Sequence, residues 1–300
     1  MTTLAGAPVV AGVDGSARSF AAVEVAAAEA ALCNRPLRIV HAFAWPPVSA
    51  ALTPDMSEPV RRVTRERALS ALREAEAIAL KARPELAVTA VIVDESPVAA
   101  LRAESRHAFL IVLGDRGAGG LAQLLVGSVA VQTASHSLCP VMVIRGERRT
   151  NGPVVVGIDG SATSMRALEF AAGTAALRGA ELLAVHAWST GDSAELVDKL
   201  PMSWENWAAG PIEERVFAEA VAGLGERQPD LVVRREMIEG PARRILAERS
   251  AGAQLMVVGD RGRGGFTGLL LGSVSQYLVH HAACPLVVVR NAAQSGTVGS

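Results

Sequence analysis

Two fifteen-residue stretches hold the residue types best suited to chemistry. "GDRGAGGLAQLLVGS" occupies residues 114–128 and returns, 145 residues on, as "GDRGRGGFTGLLLGS" at 259–273. Gly114, Gly117 and Gly127, and their counterparts Gly259, Gly262 and Gly272, let a main chain turn tightly and approach a ligand without Cβ interference. Ser128 and Ser273 follow at a fixed distance, where the next helix is expected to begin. A serine there is expected to act as an N-cap, beside backbone N–H groups that have no helical partner and attract anions. A loop on one side and a helix start on the other make a cradle suited to phosphate. The P-loop pattern is absent, since no Lys follows the glycines as it requires, and neither copy satisfies G-x-G-x-x-G. A turn needed only for packing is the plain alternative, and for a single copy the two explanations would stand level.

A second element is Asp14 in "GVDGS", matched by Asp159 in "GIDGS". An acid at a strand end accepts hydrogen bonds from a sugar hydroxyl or helps to hold a metal. It equally caps the helix that follows, and both roles stay open. His41 and His186, in "VHAF" and "VHAW", read as satisfied rim histidines. Cys139 and Cys284 read as small buried residues ahead of a strand. No Ser-His-Asp order and no Glu/His metal spacing recurs between the copies, so no nucleophile, catalytic residue or metal ligand set is assigned. Asp115 and Asp260 lie within the loops, where a carboxylate points outward as readily as it acts as a base. Arg263 stands where the first loop has Ala118, which gives the second loop one more guanidinium beside the matched Arg116 and Arg261.

The elements that must position these residues also come twice. "VVAGVDGSA" (9–17), "LRIVHAF" (37–43) and "CPVMVIR" (139–145) return at 154–162, 182–188 and 284–290. The chain is a duplicated domain with its junction near "GERRTNG", residues 146–152, which divides it into domains 1–147 and 148–300. In the first copy, apolar runs at 8–13, 37–43, 87–93, 109–113 and 140–145 predict strands. Helical patterns fill 17–33, 58–82, 97–106 and 128–137. Continuous rather than alternating apolar runs suit a parallel sheet covered on both faces. Five strands with four crossovers predict a doubly wound α/β domain, whose ligands bind beyond the carboxyl ends of the strands. The segments after strand two, 44–59 and 188–210, predict lid-like loops, with Trp204 and Trp207 packing a lid in preference to stacking on a base. A net charge of −1 in 300 residues gives no nucleic-acid footprint. No signal peptide, spanning run or disulfide framework is read from the chain, and the cytoplasm is the expected address.

The pattern G-x2-G-x9-G-[ST], present in both halves, resembles the ATP-binding signature of universal stress proteins. The "V-x-[VI]-D-G-S" opening and the "CP-[VL]-x-V-[IV]-R" strand are similar to that family too. The resemblance spans residues 7–146 and 152–291 and implies two tandem five-stranded parallel sheets, each in the order 3-2-1-4-5. It implies that Gly12 and Asp14 line a ribose and that the backbone near Val40 meets adenine. Gly114, Asp115, Arg116, Gly117, Ala118, Gly119 and Gly120, with Gly127, Ser128 and Val129, would hold phosphates. The second site would use Gly157, Asp159 and Val185 with Gly259, Asp260, Arg261, Gly262, Arg263, Gly264, Gly265, Gly272, Ser273 and Val274. The implied function is a nucleotide-dependent regulator of stress response or growth that takes ATP, two per chain, with or without magnesium, and turns it over little or not at all. Its implied partners are a second copy, as a homodimer, and an unidentified regulatory protein, with no nucleic acid and no membrane insertion. An enzyme that cleaves or transfers the nucleotide, and a cyclic AMP binder, are the rival readings.

Overall fold

The computed structural model describes residues 6–43, 54–117, 126–188, 209–263 and 271–290. The chain divides into two compact units, Met1–Ile144 and Arg145–Ser300. In the first, the strands are β1 (Val9–Gly12), β2 (Leu37–Ala42), β3 (Val88–Val93), β4 (Leu110–Gly114) and β5 (Val141–Ile144). All of its pairings are parallel, in the order β3-β2-β1-β4-β5. In the second unit, β6 (Val154–Gly157), β7 (Leu182–Trp188), β8 (Val233–Glu239), β9 (Leu255–Gly259) and β10 (Leu286–Val289) repeat the plan as β8-β7-β6-β9-β10, again all parallel. The order reverses between β1 and β4, and between β6 and β9, so each unit has a switch-point crevice at the carboxyl ends of those strands.

The helices follow from composition and caps. α1 (Ala17–Leu32) is rich in alanine, the best helix former. Its N-cap Ser16 accepts the Ser19 amide at 3.2 Å. Ala22, Ala26 and Ala30, spaced four apart, are fully buried and let the helix lie close on the sheet. α5 (Ala162–Arg178) repeats this with N-cap Ser161 and stops at Gly179, whose φ of 60° suits glycine. The remaining helices are α2 (Pro54–Ala82), α3 (Pro97–Glu104), α4 (Ser128–His136), α6 (Ala209–Ala222), α7 (Leu224–Arg227), α8 (Ala242–Ser250) and α9 (Ser273–His281). α2 begins earlier than expected, so residues 54–59 belong to it and not to a lid. Pro59 lies inside this helix, past its first turn, where its missing N–H gives up one helical hydrogen bond. The rest of that segment lies outside the described residues, as do Trp204 and Trp207. Leu37, Ile39, Leu110 and Ile111 fill the first core, and Leu182, Leu255, Met256 and Leu286 the second. Each such side chain contributes about 1.5–3 kcal/mol. Among the described residues no helix is long and apolar enough to cross a membrane.

Candidate functional site

Each crevice is built from three segments. The first is the turn after β1 or β6. Asp14 Oδ1 accepts the Ser16 amide at 3.0 Å, and Asp159 Oδ1 accepts the Ser161 amide at 2.9 Å. Between them Gly15 and Gly160 take φ of 84° and 77°, a region that only glycine occupies cheaply. Capping therefore falls to Ser16 and Ser161, while the aspartates shape the turn that delivers those caps. The other carboxylate oxygen faces the glycine loop. A Cβ on Gly117 would collide with Asp14 Oδ2, and one on Gly262 with Asp159 Oδ2. In the second unit Asp159 Oδ2 also accepts the Arg263 amide at 3.0 Å. The acid and the glycine loop, far apart in sequence, meet in both units.

The second segment is the loop itself, closed at its neck. Asp115 continues the β4–β5 ladder through its amide to Ile144, and its carbonyl accepts the Gly127 amide at 2.7 Å. Asp260 does the same with Val289 and, at 2.8 Å, with Gly272. The neck brings both ends of the loop to the rim and sets the start of α4 or α9 beside the start of the loop. In the second unit Ser275 adds a clamp, its hydroxyl donating to the Asp260 carbonyl at 2.8 Å; Ala130 holds that position in the first. Ala118, Gly119, Gly120, Gly264 and Gly265 lie outside the described residues.

The third segment is the helix start, where the structure corrects the expected cap. Gly127 and Gly272 are the N-caps, with extended φ, ψ of −72°, 146° and −70°, 160°. Ser128 and Ser273 are the first helical residues and make no capping bond. A glycine at the cap of α9 eases the closing of the neck, because a Cβ on Gly272 would lie 3.3 Å from the Arg261 Cα. Ser128 and Ser273 are exposed, and Val129 and Val274 half-buried. The exposed serines and the first helical N–H groups, which have no partner within the helix, make a donor array suited to an anion.

Other expected positions have packing duties. The space beside Gly12 is filled by Leu113 and Leu101, and that beside Gly157 by Leu246 and Val258. Val40 stands opposite Gly12 in the β1–β2 ladder, its carbonyl accepting the Val13 amide at 2.9 Å. Val185 does the same for Ile158. His186 is the satisfied histidine expected, with Nδ1 at 2.7 Å from the Ile158 carbonyl and its ring stacked on Phe217. At His41 the Nδ1 has no close hydrogen-bond partner among the described residues. Burial holds the His41 pKa below the ordinary histidine value, against the charge of Asp14, which pulls it upward.

Asp115 and Asp260 do not point outward. They are 6% and 0% exposed, and in each the Oδ1 oxygen accepts no hydrogen bond among the described residues. Guanidinium groups flank both. Arg290 Nε donates to Asp260 Oδ2 at 3.2 Å, with Arg261 Nε 3.7 Å away. Arg18 and Arg116 stand 3.7 and 4.0 Å from Asp115. With two cations already beside each carboxylate, these acids suit charge pairing and not metal ligation. Among the described residues no cluster of three or more His, Cys, Asp or Glu side chains is arranged to hold a metal. Arg18 and Arg290 escaped the sequence reading. The Arg that closes both "CP" strands was visible as part of a motif, but its partner lies 30 residues away.

Comparison with known proteins shows the family. The universal stress protein family model matches residues 7–145 and 150–290. The universal stress protein Rv2005c of Mycobacterium tuberculosis is 40% identical over 294 residues, which cover 94% of this chain and 96% of that one. A universal stress protein of Mycolicibacterium smegmatis is 36% identical, with the same coverage. The crystal structure of a universal stress protein from Archaeoglobus fulgidus aligns with 95% of this chain and 98% of its own at a TM-score of 0.65, with 20% identity, and so supports the fold alone. Each family match contains a complete set of turn, glycine loop and helix start, and the chain belongs to the universal stress protein family, with two of its domains in tandem.

Proposed function

We propose that this protein binds ATP in both units, two per chain, and acts as a nucleotide-dependent regulator with little or no turnover. The observation that carries this reading is the junction of an aspartate with a neck-closed glycine loop and an exposed helix start, formed twice from separate stretches of sequence. Phosphates are suited by the loop amides and the N–H groups after Gly127 and Gly272. Asp14 and Asp159, on the same rim, offer an acceptor to a ribose hydroxyl. Magnesium, where present, arrives with the phosphates.

Slow turnover follows from what phosphoryl transfer requires, which is a positioned nucleophile, metal coordination and cationic stabilisation together. The nearest loop carboxylates, Asp115 and Asp260, are buried and flanked by arginines, which removes them as bases. A cytoplasmic homodimer that reports nucleotide level to a protein partner completes the proposal, and a net charge of −1 argues for no nucleic-acid role. The test is mass spectrometry of ligand released from freshly purified protein, paired with a steady-state hydrolysis rate. ATP or ADP in the released fraction, with hydrolysis far below about 1 per second, is expected. Released cyclic AMP, or hydrolysis near that rate abolished by Asp14→Asn with Asp159→Asn, would replace this reading by one of its rivals.

A further inference from the structure

The two buried loop aspartates take one of their arginine neighbours from different places. In the second unit the residue is Arg290, at the end of β10, in a hydrogen bond to Asp260. Arg145, the matching residue after β5, is engaged elsewhere and donates to the carbonyls of Leu278, Val279 and His280. Asp115 has Arg18 instead, from the first turn of α1. The residue matching Arg18 in the second unit is Thr163, whose hydroxyl donates to the Arg261 carbonyl and so ties α5 to the loop main chain.

Arg18 stands at the neck of the first glycine loop. A Cβ on Gly114 would lie 2.8 Å from the Arg18 carbonyl oxygen, so α1 begins in contact with the loop. Its side chain remains 53% exposed, and its ion pair with Asp115 is loose, at 3.7 Å with no hydrogen bond to Oδ1. Arg18 makes no hydrogen bond to Oδ1 in this pair, and Arg116 stays beside Asp115 when Arg18 turns away. A phosphate offers two oxygens that a planar guanidinium can engage together.

We propose that Arg18 is a specificity-determining residue of the first site, turning from Asp115 to the outer phosphates of the nucleotide and so favouring a triphosphate over a monophosphate. The inference rests on the ATP reading of that site. It also revises the electrostatic comparison of the loops, since the guanidinium that Arg263 adds to the second loop is matched in the first by one supplied from α1.

The experiment uses the full chain carrying Gly262→Trp, which blocks the second site, with ATP and AMP titrated by calorimetry. Adding Arg18→Ala is expected to weaken ATP by roughly tenfold to a hundredfold, the loss of a charge-assisted phosphate contact, and to leave AMP within about twofold. Arg18→Lys should retain part of the ATP affinity. In the complementary Gly117→Trp chain, Thr163→Arg should raise the ATP-to-AMP preference of the second site. Equal losses for ATP and AMP, or no loss, would overturn the role of Arg18 while leaving the site a nucleotide site. A Gly262→Trp chain that binds neither nucleotide before Arg18 is changed would overturn the first-site reading and this inference with it.

Discussion

Asp14 and Asp159 each use one carboxylate oxygen for their own turn and aim the other at a glycine. Gly117→Ala and Gly262→Ala would push a methyl group into that oxygen, so the loop or the aspartate must shift and their junction is disturbed. Each substitution is expected to weaken nucleotide binding at its own site by about tenfold or more with little change in melting, as a calorimetric titration against a thermal melt would check. His41 gives a pH prediction. Its folded pKa lies below the ordinary value of about 6.5, because burial disfavours the charged form. The unfolded chain therefore takes up a proton first as pH falls. Stability from this residue is complete above about 6.5 and is lost as pH drops toward the lower folded value. Urea midpoints at pH 7.5, 6 and 5 should fall less steeply in His41→Gln than in the parent. Burial also pushes the Cys139 thiol up to about 11 and the Cys284 thiol up to about 12, while Cys33 is only half-buried. A thiol reagent at pH 8 should modify Cys33 in the native chain and reach the other two only in denaturant.

Among the elements, β10 ends in the arginine that serves the buried carboxylate of the β9 loop. Arg290→Met leaves Asp260, 0% exposed, without its hydrogen-bond donor. The expected cost is about 3–5 kcal/mol, and Arg290→Met with Asp260→Asn should recover part of it. Equilibrium unfolding of the three variants measures both effects, and a double variant no better than Arg290→Met would count against the pairing. Element positions were largely legible in the sequence. Apolar runs and serine caps located each described strand of the first unit within a residue or two, because burial on both faces leaves few polar interruptions. The start of α2 was not legible, since Pro54 and Pro59 punctuate the stretch as a loop would. The cap of α4 was not legible either. Gly127 takes the cap position through its amide bond to the Asp115 carbonyl, a tertiary fact, whereas the adjacent Ser128 has the more familiar capping side chain. Whether Asp115 and Asp260 point outward or act as bases stayed open in the sequence, because one arginine beside each comes from another element.

At the scale of the molecule, duplication makes each unit a control for the other. The aspartate turn, the loop neck and the glycine N-cap recur with matching distances, so their geometry follows from the shared motifs. Arg18 against Thr163, Ala130 against Ser275 and His41 against His186 differ, and there the sites should differ in behaviour. The duplication was plain in the sequence, because four motifs kept their order twice. What each site holds was less plain, since a glycine loop serves packing as well as phosphate, and the Asp–glycine junction that separates those roles joins residues about a hundred positions apart. The number of ATP molecules bound per chain tests two-site binding most directly. Equilibrium dialysis with the parent, with Gly117→Trp, with Gly262→Trp and with both together should give two, one, one and none. Binding of one or none by the parent, or stoichiometry unchanged by both substitutions, would contradict it.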